Sequence, residues 1–122
     1  MNFAISAWPR NPPQWRRPDQ DVFRETVDRA VLAEKLGFKR VWSSEHHFSE
    51  DRWAPSQFPL LAAIAARTER IRLGTGVLLL PFHNPIRVAE DAAVVDIISN
   101  GRLDLGVGRG PIPMSLRPLA CR

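Results

Sequence analysis

Arg40-Val41-Trp42-Ser43-Ser44-Glu45-His46-His47-Phe48 is the stretch on which the fold turns. Its first four residues form a short run suited to a strand. The last four gather a carboxylate and two imidazoles just before an irregular stretch, Ser49 to Ser56. In a parallel α/β protein such a transition marks the carboxyl end of a strand, where active sites are built. Two adjacent histidines beside a glutamate place groups that titrate near neutral pH at that edge. Taken alone, the tetrad favours a blander reading, surface histidines with a capping glutamate. The flanking sequence reverses that order.

Upstream, Phe3-Ala4-Ile5-Ser6-Ala7-Trp8 reads as a first strand, followed by a loop rich in Pro and Arg from Pro9 to Pro18. Asp19 or Asp21 is expected to cap the next helix. Val22, Phe23, Val27, Ala30, Val31, Ala33 and Leu36 lie near helical spacing and predict one apolar face. Gly37 supplies the left-handed position that stops this helix. Downstream, Leu60 to Ala66 is almost continuously apolar and predicts a well-buried helix. Ile71 to Leu80 predicts a third strand, in which Gly74 and Gly76 signal a bulge or a close backbone approach. Asn84-Pro85 starts a helix with a cap residue and a proline at its first position. Val88, Ala92, Val95 and Ile98 continue it, Asn100-Gly101 ends it, and Leu103 to Val107 predicts a fourth strand.

Strand and helix thus alternate, which predicts parallel strands joined by right-handed crossovers. A flavodoxin-like sheet and part of a (β/α)8 barrel both fit, and periodicity does not separate them. From Pro111 to Arg122 the period is lost, and repeated prolines remove donors and restrict their neighbours. The chain therefore divides into residues 1–110, a partial α/β domain, and residues 111–122, an irregular proline-rich tail.

The chain's 122 residues suffice for one small domain. The net charge of +4 raises the question of nucleic acid. However, Arg24, Arg29, Arg67, Arg70 and Arg87 are dispersed among acids on predicted helices, with no basic stripe interleaved with aromatics. Nucleic-acid binding is not expected. No apolar run has transmembrane length, and Met1-Asn2-Phe3 lacks a basic signal-peptide start, so a cytoplasmic protein without membrane contact is expected. Cys121 is the only cysteine, so no intrachain disulfide forms. His46, His47 and His83 lack the carboxylate or cysteine arrangement that completes a typical metal site, and no metal is expected.

Several ordered segments make the sequence recognisable. They run Ala33-Glu34-Lys35-Leu36-Gly37-Phe38, Val41-Trp42, Glu45 to Phe48, Ala65 to Val77, Leu80 to Glu90, and Asp96 to Gly110. In this order they resemble the luciferase-like monooxygenase family, flavin-dependent bacterial enzymes related to bacterial luciferase. The resemblance covers nearly all of residues 1–110. It implies the N-terminal half of a (β/α)8 TIM-type barrel, with about four parallel strands and three helices, and flavin at the carboxyl ends of its strands. It implies reduced FMN, or the deazaflavin F420 in some relatives. The implied chemistry is oxygen activation and monooxygenation of a small organic substrate, or hydride transfer with F420. A flavin reductase is a possible partner on this reading.

His46 matches the first histidine of the family motif and is the candidate catalytic residue, since an imidazole moves protons at neutral pH. Glu45 can hold a histidine tautomer or satisfy backbone donors, and His47 can orient its neighbour or pack. Gly76 and Val77 match the strand that passes beneath the isoalloxazine, and a small residue at Gly76 would let the ring approach the backbone. A packing bulge explains these glycines equally well. Arg109 matches an arginine that approaches the FMN phosphate, and a planar guanidinium suits that partner. An exposed arginine leading into an irregular tail is the alternative. His83-Asn84 falls at the same strand edge, with Asn84 read as a helix cap.

A complete barrel of this type needs ~250 residues. This chain therefore reads as a truncated form, and a non-catalytic fragment that self-associates or pairs with a partner half is the alternative. The first and fourth strands would leave open barrel edges, and unpaired edges template further pairing. The isolated chain is therefore expected to form homo-oligomers or aggregates. At tens of micromolar, sedimentation velocity should show species larger than a monomer. A compact, stable monomer would contradict this.

Overall fold

The computed structural model describes residues 1–51 and 54–110. The sequence alternation becomes strands β1 (Ala4–Ser6), β2 (Arg40–Ser43), β3 (Arg72–Thr75), β4 (Leu78–Leu79), β5 (Leu103–Asp104) and β6 (Val107–Gly108). Helices α1 (Asp19–Lys35), α2 (Gln57–Ala65) and α3 (Pro85–Ser99) lie between them. A sheet of order β1-β2-β3-β5 is parallel throughout, and β4 and β6 form a short parallel pair. The expected tail, 111–122, lies outside the described residues.

Register explains why the helices gather on one face. Ile5 pairs with Val41, Val41 with Leu73, and Leu73 with Leu103. Paired residues in neighbouring strands share a face, so these four make one apolar row. Against it pack Ala30 and Ala33 of α1, Leu60, Leu61 and Ile64 of α2, and Val88, Ala92 and Val95 of α3. The opposite face carries Ser6, Trp42, Gly74 and Asp104 in a second row, with Arg40 and Arg72 beside it. A doubly wound sheet would place β1 inside and helices on both faces. Here β1 is at the edge and the strands follow chain order, as in the first half of a (β/α)8 barrel.

The two longer predicted strands are each broken. Ile71 to Leu80 divides into β3 and β4 at Gly76-Val77, and Leu103 to Val107 divides into β5 and β6 at Leu105-Gly106. At the second break the Thr75 hydroxyl donates to the Gly106 carbonyl at 2.7 Å and accepts from the Gly106 amide at 2.8 Å. A side chain thereby takes both bonds that a neighbouring backbone would have made. A Cβ at Gly106 would strike the Thr75 carbonyl.

The helix boundaries follow local chemistry, with three corrections. Asp19 is the first residue of α1 rather than its cap, which is Pro18, and Asp19 and Asp21 lie in the first turn. Asn11 holds this corner, donating to Asp19 at 2.6 Å and to the Arg17 carbonyl at 2.7 Å. Of the predicted apolar face of α1, Val22, Ala30 and Ala33 are buried, but Phe23 and Leu36 are exposed. Thr26 takes a core position instead, its hydroxyl satisfied by the Val22 carbonyl at 2.8 Å. Finally, α2 begins at Gln57, three residues before the apolar run. The predicted stops hold. Gly37 has φ +86°, and Phe38 and Gly37 donate to Ala33 and Glu34 in a Schellman closure. Asn84 caps α3, accepting from Ile86 and Arg87.

Two side chains lock the amino ends of the strands. The Glu34 carboxylate accepts from the amides of Arg70 at 2.6 Å, Ile71 at 2.7 Å and Glu69 at 3.1 Å, fixing the turn into β3. Burial favours its neutral form, but the amides of Ile71, Arg70 and Glu69 outweigh that and hold the carboxyl below its ordinary value. Because the unfolded value is higher, this contribution to stability is present at neutral pH. It is lost as pH falls through the folded value. Arg102 is buried and donates to the carbonyls of Ser99 at 2.6 Å, Ile71 at 2.7 Å, Thr68 at 2.8 Å and Ala65 at 3.1 Å. It thus ties the ends of α2 and α3 to the start of β3.

Arg87 on α3 pairs with Glu90 at 2.9 Å, and Arg67, just past α2, pairs with Asp28 of α1 at 2.6 Å. Among the described residues no helix is long and apolar enough to cross a membrane. Arg102→Met would keep the apolar stem but strand several buried carbonyls. We expect it to lower stability by about 3 kcal/mol, read as a fall in the urea midpoint. Arg102→Lys should recover only part of this, since an ammonium lacks the planar fork. A midpoint unchanged in Arg102→Met would show that the guanidinium network is dispensable.

Candidate active site

At the carboxyl end of the sheet the ladder gives way to side chains. Gly76 donates to the Ser43 carbonyl at 2.6 Å, extending β3 by one contact beyond Thr75. The chain then turns outward through Gly76-Val77, whose peptide bond is cis, and rejoins β6 when Leu78 donates to Gly106 at 2.9 Å.

Glu45, two residues past β2, fills the space opened by that turn. Its side chain is fully buried. One carboxylate oxygen lies 2.6 Å from His47 Nε2 and 2.8 Å from His83 Nε2. The other accepts from the Leu79 amide at 3.0 Å and the Gln57 side chain at 3.4 Å. Burial pushes this carboxyl upward, but the bonds from His47, the Leu79 amide and His83 together hold it below its ordinary value. Gln57 also donates to the Val77 carbonyl at 2.9 Å. The His47 ring meets Phe82 edge-on, with centroids 5.2 Å apart. Among the described residues no group of His, Cys, Asp and Glu side chains is placed to hold a metal ion.

His46 and Gly76 line one cleft of about 200 Å³, with Ser44, Val77 and Gly110 beside them. Burial lowers the His46 pKa, and the nearby His47 and Arg10 push the same way, against the opposing pull of Glu45. Arg10 is brought there by the loop after β1, which pairs Arg10 with Asp51 and joins the Asn11 amide to the Asp51 carbonyl at 2.7 Å. His46 is therefore biased to its neutral form, which can take up a proton.

The two glycines of β3 have different reasons. A Cβ at Gly74 would collide with the Trp42 ring, so packing within the chain requires glycine there. A Cβ at Gly76 would meet nothing nearer than 3.5 Å, an ordinary contact, and Gly76 is exposed to the cleft. Val77 is 39% exposed beside it. The Ser44 hydroxyl is buried at the cleft and has no hydrogen-bond partner among the described residues. Arg109 is exposed and precedes Gly110 in the chain, but it is not among the residues that line the cleft.

The structure thus brings His46, Gly76 and Val77 together. Sequence reasoning missed Gln57, Ser44 and the joint use of Glu45 by His47 and His83. Glu45 and His83 are 38 residues apart, and only their common position at strand ends links them in sequence.

Residues 1–118 match the family model described as luciferase-like monooxygenase. The oxygenase component of the flavin-dependent trigonelline monooxygenase of Acinetobacter baylyi is 39% identical over 95 residues, covering 78% of this chain and 26% of its own. The crystal structure of monooxygenase RslO1 from Streptomyces bottropensis superposes with a TM-score of 0.90 at 39% identity, covering 98% of this chain and 36% of that one. The oxygenating constituent of 3,6-diketocamphane monooxygenase from Pseudomonas putida, in complex with FMN, superposes with a TM-score of 0.87 at 26% identity. It covers 100% of this chain and 33% of that one. The chain thus spans about a quarter to a third of the proteins it matches, and its fold is part of their barrel. By the matched family model and the identity it shares with these proteins, the chain belongs to the luciferase-like monooxygenase family.

Proposed function

We propose that this chain forms the N-terminal part of a flavin-dependent monooxygenase site that uses reduced FMN and molecular oxygen on a small organic substrate. The observation that carries the reading is Gly76, open to the cleft beside His46. The chain's own packing does not demand glycine there, whereas a planar ring seated against that backbone would. The unpartnered Ser44 hydroxyl adds a polar group to the same cleft. These residues fit a flavin. What a bound reduced flavin supplies is the electrons with which one oxygen atom enters substrate and the other leaves as water.

The chain's own residues bind and move protons. Gly76 and Val77 present backbone and a half-exposed apolar side chain to the ring. His46, held toward its neutral form, takes up a proton as the reaction proceeds. Arg109, exposed and preceding Gly110 in the chain, binds the cofactor phosphate through its guanidinium. A separate reductase supplies reduced FMN, a reading supported by a relative named as an oxygenase component. F420 with hydride transfer is the alternative cofactor on this scaffold. A second reading, a non-catalytic piece that self-associates or pairs with a partner half, draws on the sheet face bearing Arg40, Arg72 and Asp104, which no helix covers among the described residues.

The test joins residues 1–110 to the remaining strands of a relative's barrel. FMN binding and single-turnover oxidation would support the reading, and a folded chimera that binds no flavin would sink it. In that chimera His46→Ala should slow the chemical step roughly 10²–10⁴-fold while changing FMN affinity little. Arg109→Ala should do the reverse, chiefly weakening FMN binding. An effect of His46→Ala within about twofold on the chemical step would remove its proton-transfer role.

A further expectation concerns pH. NMR titration of His46 should give a midpoint below that of an unstructured histidine, because burial and its cationic neighbours disfavour the imidazolium. The unfolded chain then binds this proton at higher pH, so the His46 contribution is present above the unfolded value and lost as pH falls through the folded one. A midpoint at or above the unstructured value would contradict this electrostatic account.

A further inference from the structure

We infer that Glu45 is a positioning residue: its single carboxylate fixes His47 and His83 as Nε2–H donors and, with Gln57, holds the Gly76–Leu79 segment against the end of β2. The catalytic meaning of this arrangement rests on the flavin reading, but its structural content does not.

An ionised carboxylate only accepts hydrogen bonds. Both imidazoles approach the same Glu45 oxygen through Nε2, at 2.6 and 2.8 Å. Each ring must therefore carry its proton on Nε2, and in the neutral ring Nδ1 is left as the basic nitrogen. The bonds from His47, the Leu79 amide and His83 favour the ionised carboxylate that this requires.

The second oxygen completes the device. It takes the Leu79 amide at 3.0 Å and the Gln57 amide at 3.4 Å, while Gln57 reaches on to the Val77 carbonyl at 2.9 Å. The Gly76–Leu79 segment is thus gripped at Val77 and Leu79 by two side chains from elsewhere. The donors around Glu45 come from the loop after β2, the first residue of α2, β4, and the residue before the α3 cap. One buried charge therefore sets the relative placement of four segments at the cleft. A carboxylate that merely filled space would have no reason to receive two imidazoles on one oxygen.

The test uses the 15N-labelled 122-residue chain without flavin, at alkaline pH, sedimented and read by solid-state NMR where it self-associates. We expect two hydrogen-bonded, slowly exchanging imidazole N–H signals with the nitrogen shifts of the Nε2–H tautomer. His47→Gln and His83→Gln should each remove one of them. Glu45→Leu keeps a similar volume but removes both acceptor oxygens, so both hydrogen-bonded signals should be lost while backbone amides distant from the cleft keep their shifts. Wild-type spectra lacking both signals, or showing an Nδ1–H tautomer at either ring, would overturn the inference. So would a Glu45→Leu spectrum that retains both. Should Glu45→Leu fail to fold, the wild-type tautomers decide alone. None of these readings involves flavin, so failure of FMN binding and failure of this inference remain distinct outcomes.

Discussion

Val41 and Leu73 lie side by side at the centre of the sheet, in register and fully buried. Ile5 and Leu103 extend their row to both edges. The three helices cover this row and nothing else in the sheet, because parallel strands joined by right-handed crossovers put every connection on the same side when the strands follow chain order. That constraint leaves the other face to different chemistry. There Arg72 and Arg40 converge on Asp104, at 3.0 and 3.1 Å, and Trp42 lies across Gly74. Pairing with Arg72, and then with Arg40, holds the Asp104 carboxyl below its ordinary value. A face of arginines, an aspartate and an aromatic is what the interior of a barrel can hold once other strands surround it. Among the described residues no helix covers that face.

The two ends of the sheet use polar side chains differently. At the amino end, Glu34 and Arg102 satisfy backbone groups that the turns leave unpaired, and both act through bonds to amides or carbonyls. Their role is to hold loops. At the carboxyl end, Thr75, Glu45 and Gln57 replace ladder bonds where the strands splay apart. The ladder must break for a cleft to exist, and each broken bond needs a substitute partner, since an unpaired buried backbone group is costly. The residues that repair the ladder are therefore the same ones that shape the cleft around His46 and Gly76.

Much of this was legible along the chain. Asn84-Pro85, Asn100-Gly101 and Gly37 marked helix ends because capping and left-handed φ are local properties. The apolar period of α3 placed Val88, Ala92 and Val95 on the core, although Ile98 of the same period is exposed, and the run in α2 marked a largely buried helix. The position of Glu45-His46-His47 after an apolar run marked the edge of the sheet. Where local signals failed, a distant partner had intervened. Phe23 and Leu36 have helical spacing but are exposed among the described residues. Asp19 has capping chemistry but is engaged by Asn11. A continuous strand from Ile71 to Leu80 satisfies β-propensity, yet Ser43, Gln57 and Glu45 take up its backbone groups in another geometry.

The sequence by itself therefore determined the alternation of strands and helices, the helix ends marked by Gly37, Asn84-Pro85 and Asn100-Gly101, and the family to which the chain belongs. These depend on neighbours within a turn or two, or on ordered motifs that can be read in one dimension. Only the tertiary structure decided that Gly74 serves Trp42 while Gly76 opens to a cleft, and that His47 and His83 share one oxygen of Glu45. Only it decided that Arg102, unremarkable in sequence, joins two helices to a strand. The deciding contacts among them join residues more than thirty positions apart, Glu45 with His83 and Arg102 with Ile71. Such pairs meet because strand register brings their backbones to one level, and no local propensity encodes that meeting.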